Sequence, residues 1–128
     1  MRDFVKPKLW LGIWVFGWAL CIILSLTPSV PIPAGVPEGD KIGHMLAYGV
    51  LSAWAVMIFR SRKEWLRSAV ALLALGIAIE FAQGALTTYR TADPYDALAD
   101  LCGILLGLCL ALTPASAWLL KLERRWLL

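Results

Sequence analysis

From Leu9 to Leu26 the chain runs 18 residues without one charged side chain. A bilayer's hydrocarbon core is about 30 Å thick, and an α-helix needs about 20 mainly apolar residues to cross it. Three more stretches approach that length: about Ile42–Phe59, about Leu66–Leu86 with Glu80 as its one charge past the start, and about Asp96–Thr113. The last would extend to Leu120 if its helix passed Pro114. Between them, residues 27–39 hold Pro28, Pro31, Pro33 and Pro37, a density that no helix continues through. Residues 60–64 read as a short charged turn and residues 87–94 as a short polar loop.

Composition agrees with lipid as the main solvent. Of the 128 residues 60% are hydrophobic, only 16% are charged, and the mean hydropathy is +0.73. Soluble domains carry about 25% charged residues, and one this small could not bury so much apolar surface. The expectation is an all-α integral membrane bundle of about four transmembrane helices forming one domain over residues 1–128. The first run has a basic start, but it is longer than a signal-peptide core and no A-x-A site follows, so it reads as an uncleaved first helix. Cys21, Cys102 and Cys109, an odd number without CxxC spacing, offer no disulfide framework or zinc signature and read as small packing residues.

Charge asymmetry sets an expected orientation. Of 12 Lys and Arg residues, Arg2, Lys6, Lys8, Arg60, Arg62, Lys63, Arg67, Lys121, Arg124 and Arg125 fall on one side of such a bundle; only Lys41 and Arg90 fall on the other. The positive-inside rule places both termini and the middle turn in the cytoplasm. Trp10, Trp65, Trp118 and Trp126 lie near the same ends, where an indole favours the interface. The tail after Pro114 mixes Trp118, Leu119, Leu122 and Trp126 with Lys121, Arg124 and Arg125, the pattern of an interfacial amphipathic helix. Small residues at four-residue spacing let helices approach closely in lipid. Ala74, Ala78 and Ala82 on segment three and Gly103 and Gly107 on segment four therefore predict that these two segments pack together.

What remains polar is concentrated in the outer half. Asp40, His44 and Tyr48 share one helical face, with Lys41 beside them. Segment three ends with Glu80 and Gln83, the loop adds Arg90 and Asp93, and segment four opens with Asp96 and Asp100, continued by Gly103. A charge at the bilayer centre costs roughly 3 kcal/mol or more on insertion scales, so three segments carrying such groups at one depth form a candidate site. Asp40 and Asp96 also suit helix starts as caps, and Lys41 and Arg90 suit interfacial anchoring. Glu80 needs a partner, with Arg90, Lys41 or protonated His44 as candidates, and the whole set also reads as a structural ion-pair network.

The series Asp40-Lys41-x-x-His44-x-x-x-Tyr48, Glu80-x-x-Gln83, Arg90 and Asp96-x-x-x-Asp100-x-x-Gly103-x-x-x-Gly107 resembles the VanZ-like family of small multi-helix bacterial membrane proteins. That resemblance implies a multi-pass protein of the cytoplasmic (inner) membrane; the family's namesake is associated with resistance to the lipoglycopeptide teicoplanin. The position of Asp100 is commonly Asn in the family, so this chain adds a carboxylate there.

Three functions fit these residues. The first is recognition of a lipid-linked or amphiphilic head group: Lys41, Arg90 and protonated His44 would hold a phosphate or carboxylate through charge-assisted hydrogen bonds. Asp40, Tyr48, Gln83 and Gly103 would complete the binding surface. The partners would be membrane lipids, undecaprenyl-linked wall precursors or lipophilic antibiotics. The second is an intramembrane enzyme with His44, Glu80, Asp96 and Asp100 as its chemical groups, His44 as general acid or base, or with the carboxylates around a hard divalent cation. The third is a proton-coupled transporter using Glu80 and His44. No G-x-S-x-G, H-E-x-x-H or phosphate-cradling glycine loop is present, no cofactor is indicated, and the scattered basic residues give no support for nucleic-acid binding.

Overall fold

The computed structural model describes residues 1–26, 39–86 and 94–127, and within these it is all-helical, without strands. Helix α1 spans Pro7–Leu26, α2 Gly39–Ile58, α3 Arg62–Leu86, α4 Pro94–Leu108 and α5 Trp118–Leu127, with 3₁₀ turns at Cys109–Leu112 and Pro114–Ala117. By length and apolarity, Pro7–Leu26 and Arg62–Ala82 are each long enough to cross a membrane. A third crossing is possible if the bent pair Ala97–Leu112 and Pro114–Leu127 is one span, while the apolar part of α2, Ile42–Ile58, is shorter.

The fourth segment does not run through Pro114 as a continuous helix. The chain bends by 86° there. Thr113, the residue before the proline, is extended at φ −121° and ψ 156°, as the clash with a proline ring requires. Its N–H and its hydroxyl both donate to the Leu110 carbonyl, at 3.0 and 2.8 Å, and close the helix end.

Helix α2 is the centre of the bundle, touched by α1, α3, α4 and α5. Its tightest partner is α4. A Cβ at Gly107 would sit 2.5 Å from the Gly49 carbonyl oxygen, and one at Gly103 would run into the Met45 carbonyl. Ser52 Oγ donates to the Ile104 carbonyl at 2.8 Å across the same seam. Segments three and four do pack together, as the small-residue pattern predicts, but the G-x-x-x-G face itself seats α4 on α2. Helix α3 meets α4 through the face that carries Leu72, Gly76, Ile79 and Glu80; Ala74 and Ala78 are exposed. In lipid an alanine stripe has no intrinsic preference for protein, so the deeper seam of glycines wins. Cys102 and Cys109 are likewise exposed, and only Cys21 packs on the core.

The N-terminus, the α2–α3 turn and α5 gather at one end. Arg2 donates its backbone N–H to the Ile58 carbonyl and its guanidinium to the Val56 carbonyl, covering the open carbonyls at the end of α2. Ser61 and Glu64 form a reciprocal capping box at the start of α3. Arg60 meets Asp3 at 2.9 Å. Phe4, Ile58 and Leu119 form a small core beneath α5.

Glu123 joins these parts. It is 2% exposed and accepts from the N–H groups of Val5 and Lys6, at 2.7 and 2.8 Å, and from Trp10 Nε1 at 2.8 Å. A carboxylate from α5 thus caps the start of α1, where unsatisfied N–H groups and the helix dipole favour negative charge. Burial by itself would push this carboxyl up; the hydrogen bonds from Trp10, Lys6 and Val5, with Arg124 nearby, outweigh it and hold the group below the ordinary carboxylate range. With Leu119 and Glu123 turned inward, Trp118, Trp126, Lys121, Arg124 and Arg125 are left exposed.

Candidate functional site

At the opposite end from the gathered termini, α2 and α4 bring two ionisable groups into contact inside the bundle. His44 Nδ1 lies 3.0 Å from Asp100 Oδ1, with side chains 8% and 1% exposed. The contact follows from the glycine seam. Asp100, Gly103 and Gly107 lie on one face of α4, and Gly103 meets α2 at Met45, next to His44. One turn along α2, the Tyr48 ring stacks parallel to the imidazole, with centroids 6.4 Å apart and planes at 7°.

Tyr48 is 1% exposed and sits in the core cluster with Leu51, Leu72 and Ile104, against Trp14, Trp18 and Cys21 of α1. Its hydroxyl has the Cys21 thiol as a neighbour and lies within electrostatic range of the Asp100 and Glu80 carboxylates. Apart from that thiol, no hydrogen-bond partner among the described residues meets the hydroxyl. Glu80 is itself 8% exposed, on the inward face of α3.

The structure thus brings together His44, Tyr48, Glu80, Asp100 and Gly103 from the sequence-derived set. Arg90 lies outside the described residues, as do the side chains of Asp40, Lys41, Gln83 and Asp96. Sequence reasoning offered protonated His44 as one partner for Glu80; the structure sets His44 against the Asp100 carboxylate. It also missed Gly76, whose missing side chain leaves room for Asp100 on α3. The only signal for it in the sequence is a glycine one turn before Glu80 on the same face. Among the described residues, no group of three or more His, Cys, Asp or Glu side chains is arranged to hold a metal ion.

The VanZ/LLP1 family model matches residues 5–119. This chain belongs to the VanZ/LLP1 family. The match covers α1 to α4 and the first two residues of α5. The chain is also similar to a Schizosaccharomyces pombe protein that carries the name "Uncharacterized protein C11E3.10", with 31% identity over 110 residues. That alignment covers 84% of this chain and 65% of the yeast protein, so the chain spans less than two thirds of this relative's length. No solved structure matches it. Family membership and the apolar helices together point to a membrane protein.

Proposed function

We propose that this VanZ/LLP1 chain is a multi-pass protein of the cytoplasmic membrane whose outer half binds the anionic head group of a membrane amphiphile. Four crossings fit the element lengths. Helix α2, with 20 residues, is about 30 Å long, and α4 with its following 3₁₀ turn reaches roughly the same. The gathered ends carry ten of the 12 basic residues, which supports an inside position for both termini and the α2–α3 turn. Helix α5, turned 86° to α4, would lie along the inner surface with Trp118 and Trp126 toward lipid.

The observation that carries the binding site is the buried His44–Asp100 contact, with Glu80 turned inward nearby. With Nδ1 against the Asp100 carboxylate, a protonated imidazole would present its Nε2–H to a phosphate or carboxylate oxygen. Lys41 and Arg90 would add positive charge at the rim, and Asp40, Gln83 and Asp96 would orient them or accept from hydroxyls and amides. Phospholipids, undecaprenyl-linked precursors and lipoglycopeptides all present such an anion on an apolar body.

Native mass spectrometry of the detergent-extracted wild type, Arg90→Ala and His44→Ala tests this. Retention of an anionic lipid by the wild type, lost in both variants, supports the reading; equal, empty spectra from all three folded proteins refute it.

The His44–Asp100 geometry also favours a second reading. A carboxylate on Nδ1 fixes the tautomer and makes Nε2 the basic nitrogen, the arrangement of a general base. An enzyme acting on a lipid phosphate or head group would lose turnover in His44→Ala. Incubation with phosphatidic acid vesicles, followed by lipid mass analysis, separates turnover from simple retention.

A further inference from the structure

Asp100 is enclosed from two sides. Its Oδ1 faces His44 Nδ1 on α2 at 3.0 Å. Its Oδ2 faces α3, where a Cβ built on Gly76 would lie 2.5 Å away, with Asp100 Cγ at 3.2 Å and Cβ at 3.4 Å. Real Cβ contacts essentially never fall below 3.0 Å. We propose that Gly76 is a positioning residue of this site: its bare Cα is the seat that presses the Asp100 carboxylate onto His44.

Three observations support the assignment. Gly76 is buried mid-helix, where glycine is disfavoured relative to alanine, so its presence calls for a local reason. Among the described glycines it is the one whose Cβ would meet a charged group; Gly49, Gly103 and Gly107 abut the α2–α4 seam. Finally, a carboxylate is rigid, so a methyl group that displaces Oδ2 also swings Oδ1 off the imidazole.

The seat has a consequence for the site's chemistry. With Oδ1 on His44, Oδ2 against α3 and 1% exposure, Asp100 presents neither oxygen to a ligand or a divalent cation. It acts through His44, whose imidazole is then the group that meets the head group. That last role rests on the function proposed above; the seat itself does not.

The chain has a single histidine, so imidazole ¹⁵N resonances in ¹⁵N-histidine-labelled protein report on His44 alone. Full-length wild type, Gly76→Ala, Asp100→Ala and the double variant would be compared in micelles. Gly76→Ala is expected to move the Nδ1 resonance to its position in Asp100→Ala. It should also lower the thermal midpoint of the wild type and leave that of Asp100→Ala unchanged. A Gly76→Ala spectrum identical to the wild type, or an equal loss of midpoint in both backgrounds, overturns the proposal. Should Gly76→Ala alone fail to fold, a double variant that folds like Asp100→Ala supports the seat, and one that also fails to fold overturns it. Retention of lipid by a folded His44→Ala would sink the head-group reading while leaving the seat standing.

Discussion

Replacing Glu123 by alanine should loosen the end of the bundle where α5, α1 and the N-terminal residues meet. The carboxylate accepts three hydrogen bonds of 2.7–2.8 Å while 2% exposed. A hydrogen bond to a charged group contributes about 1.5–3 kcal/mol, and a lost helix cap costs about 1 kcal/mol. Val5 and Lys6 are exposed, so water can reach their N–H groups once the carboxylate is gone, whereas the Trp10 indole N–H is left facing apolar neighbours. The net cost comes to about 3 kcal/mol for Glu123→Ala and about half that for Glu123→Gln, which keeps one acceptor oxygen. Reversible unfolding in mixed micelles, followed by tryptophan fluorescence, reads both. The pH dependence follows from the carboxyl being held below its ordinary range in the folded state. Its contribution is complete above the unfolded value of about 4.3 and is lost as pH falls through the lower folded value, so acid should narrow the gap between wild type and Glu123→Ala. An alanine variant within about 0.5 kcal/mol of the wild type at neutral pH would refute the clamp.

Other substitutions probe the packing and the proposed orientation. Gly107→Ala should destabilise by about 1–3 kcal/mol through overpacking of the α2–α4 seam, whereas Gly12→Ala, with open space around it, should be neutral or add up to about 1 kcal/mol; chemical unfolding of the two variants compares them directly. In a background without the three native cysteines, a cysteine at Ser61 should react with an impermeant maleimide only in inverted vesicles and one at Thr88 only in intact cells; the reverse pattern contradicts the inside placement of the termini. Brominated lipids should quench Trp126, 75% exposed, more than Trp54 in single-tryptophan variants, if α5 lies on the lipid surface.

The sequence carried the helices and half of the site for simple reasons. Crossing length and missing charges define α1 and α3 without any tertiary knowledge. The step of four from His44 to Tyr48 puts both on one face of α2, and their rings stack. Spacing within a helix names a face, however, and not the helix opposite. His44 found Asp100 because Gly103 and Gly107 draw α4 onto α2; the one-dimensional pattern shows that a close seam is available, but not which helix fills it. The alanine series on α3 named the right neighbour but the wrong face, since a small residue is as comfortable against lipid as against protein. Glu123 escaped notice because it stands among Lys121, Arg124 and Arg125 like one charge of a solvated helix. Its partners Val5 and Lys6 lie 118 and 117 residues away, and only docking of α5 reveals them. The bend at Pro114 was legible as an alternative, and the extended Thr113 decided it.

Tyr48 separates a ligand site from a network kept only for stability. A buried polar group that serves the fold alone is expected to be fully hydrogen-bonded, because leaving one unmatched costs about 1–3 kcal/mol, and apolar replacements of buried ion pairs are often neutral or stabilising. The Tyr48 hydroxyl is 1% exposed with its residue, has the Cys21 thiol, a weak hydrogen-bonding group, beside it, and meets no other hydrogen-bond partner among the described residues. Tyr48→Phe keeps the ring on His44 and the contacts with Leu51, Leu72 and Ile104. Folding stability should therefore stay level or rise by about 1 kcal/mol. If the hydroxyl reaches a head group, the same variant should retain less anionic lipid in native mass spectrometry than the wild type does. A Phe variant that loses stability and keeps its lipid would assign the hydroxyl to the fold and remove its support for treating His44, Asp100 and Glu80 as more than an ion-pair network.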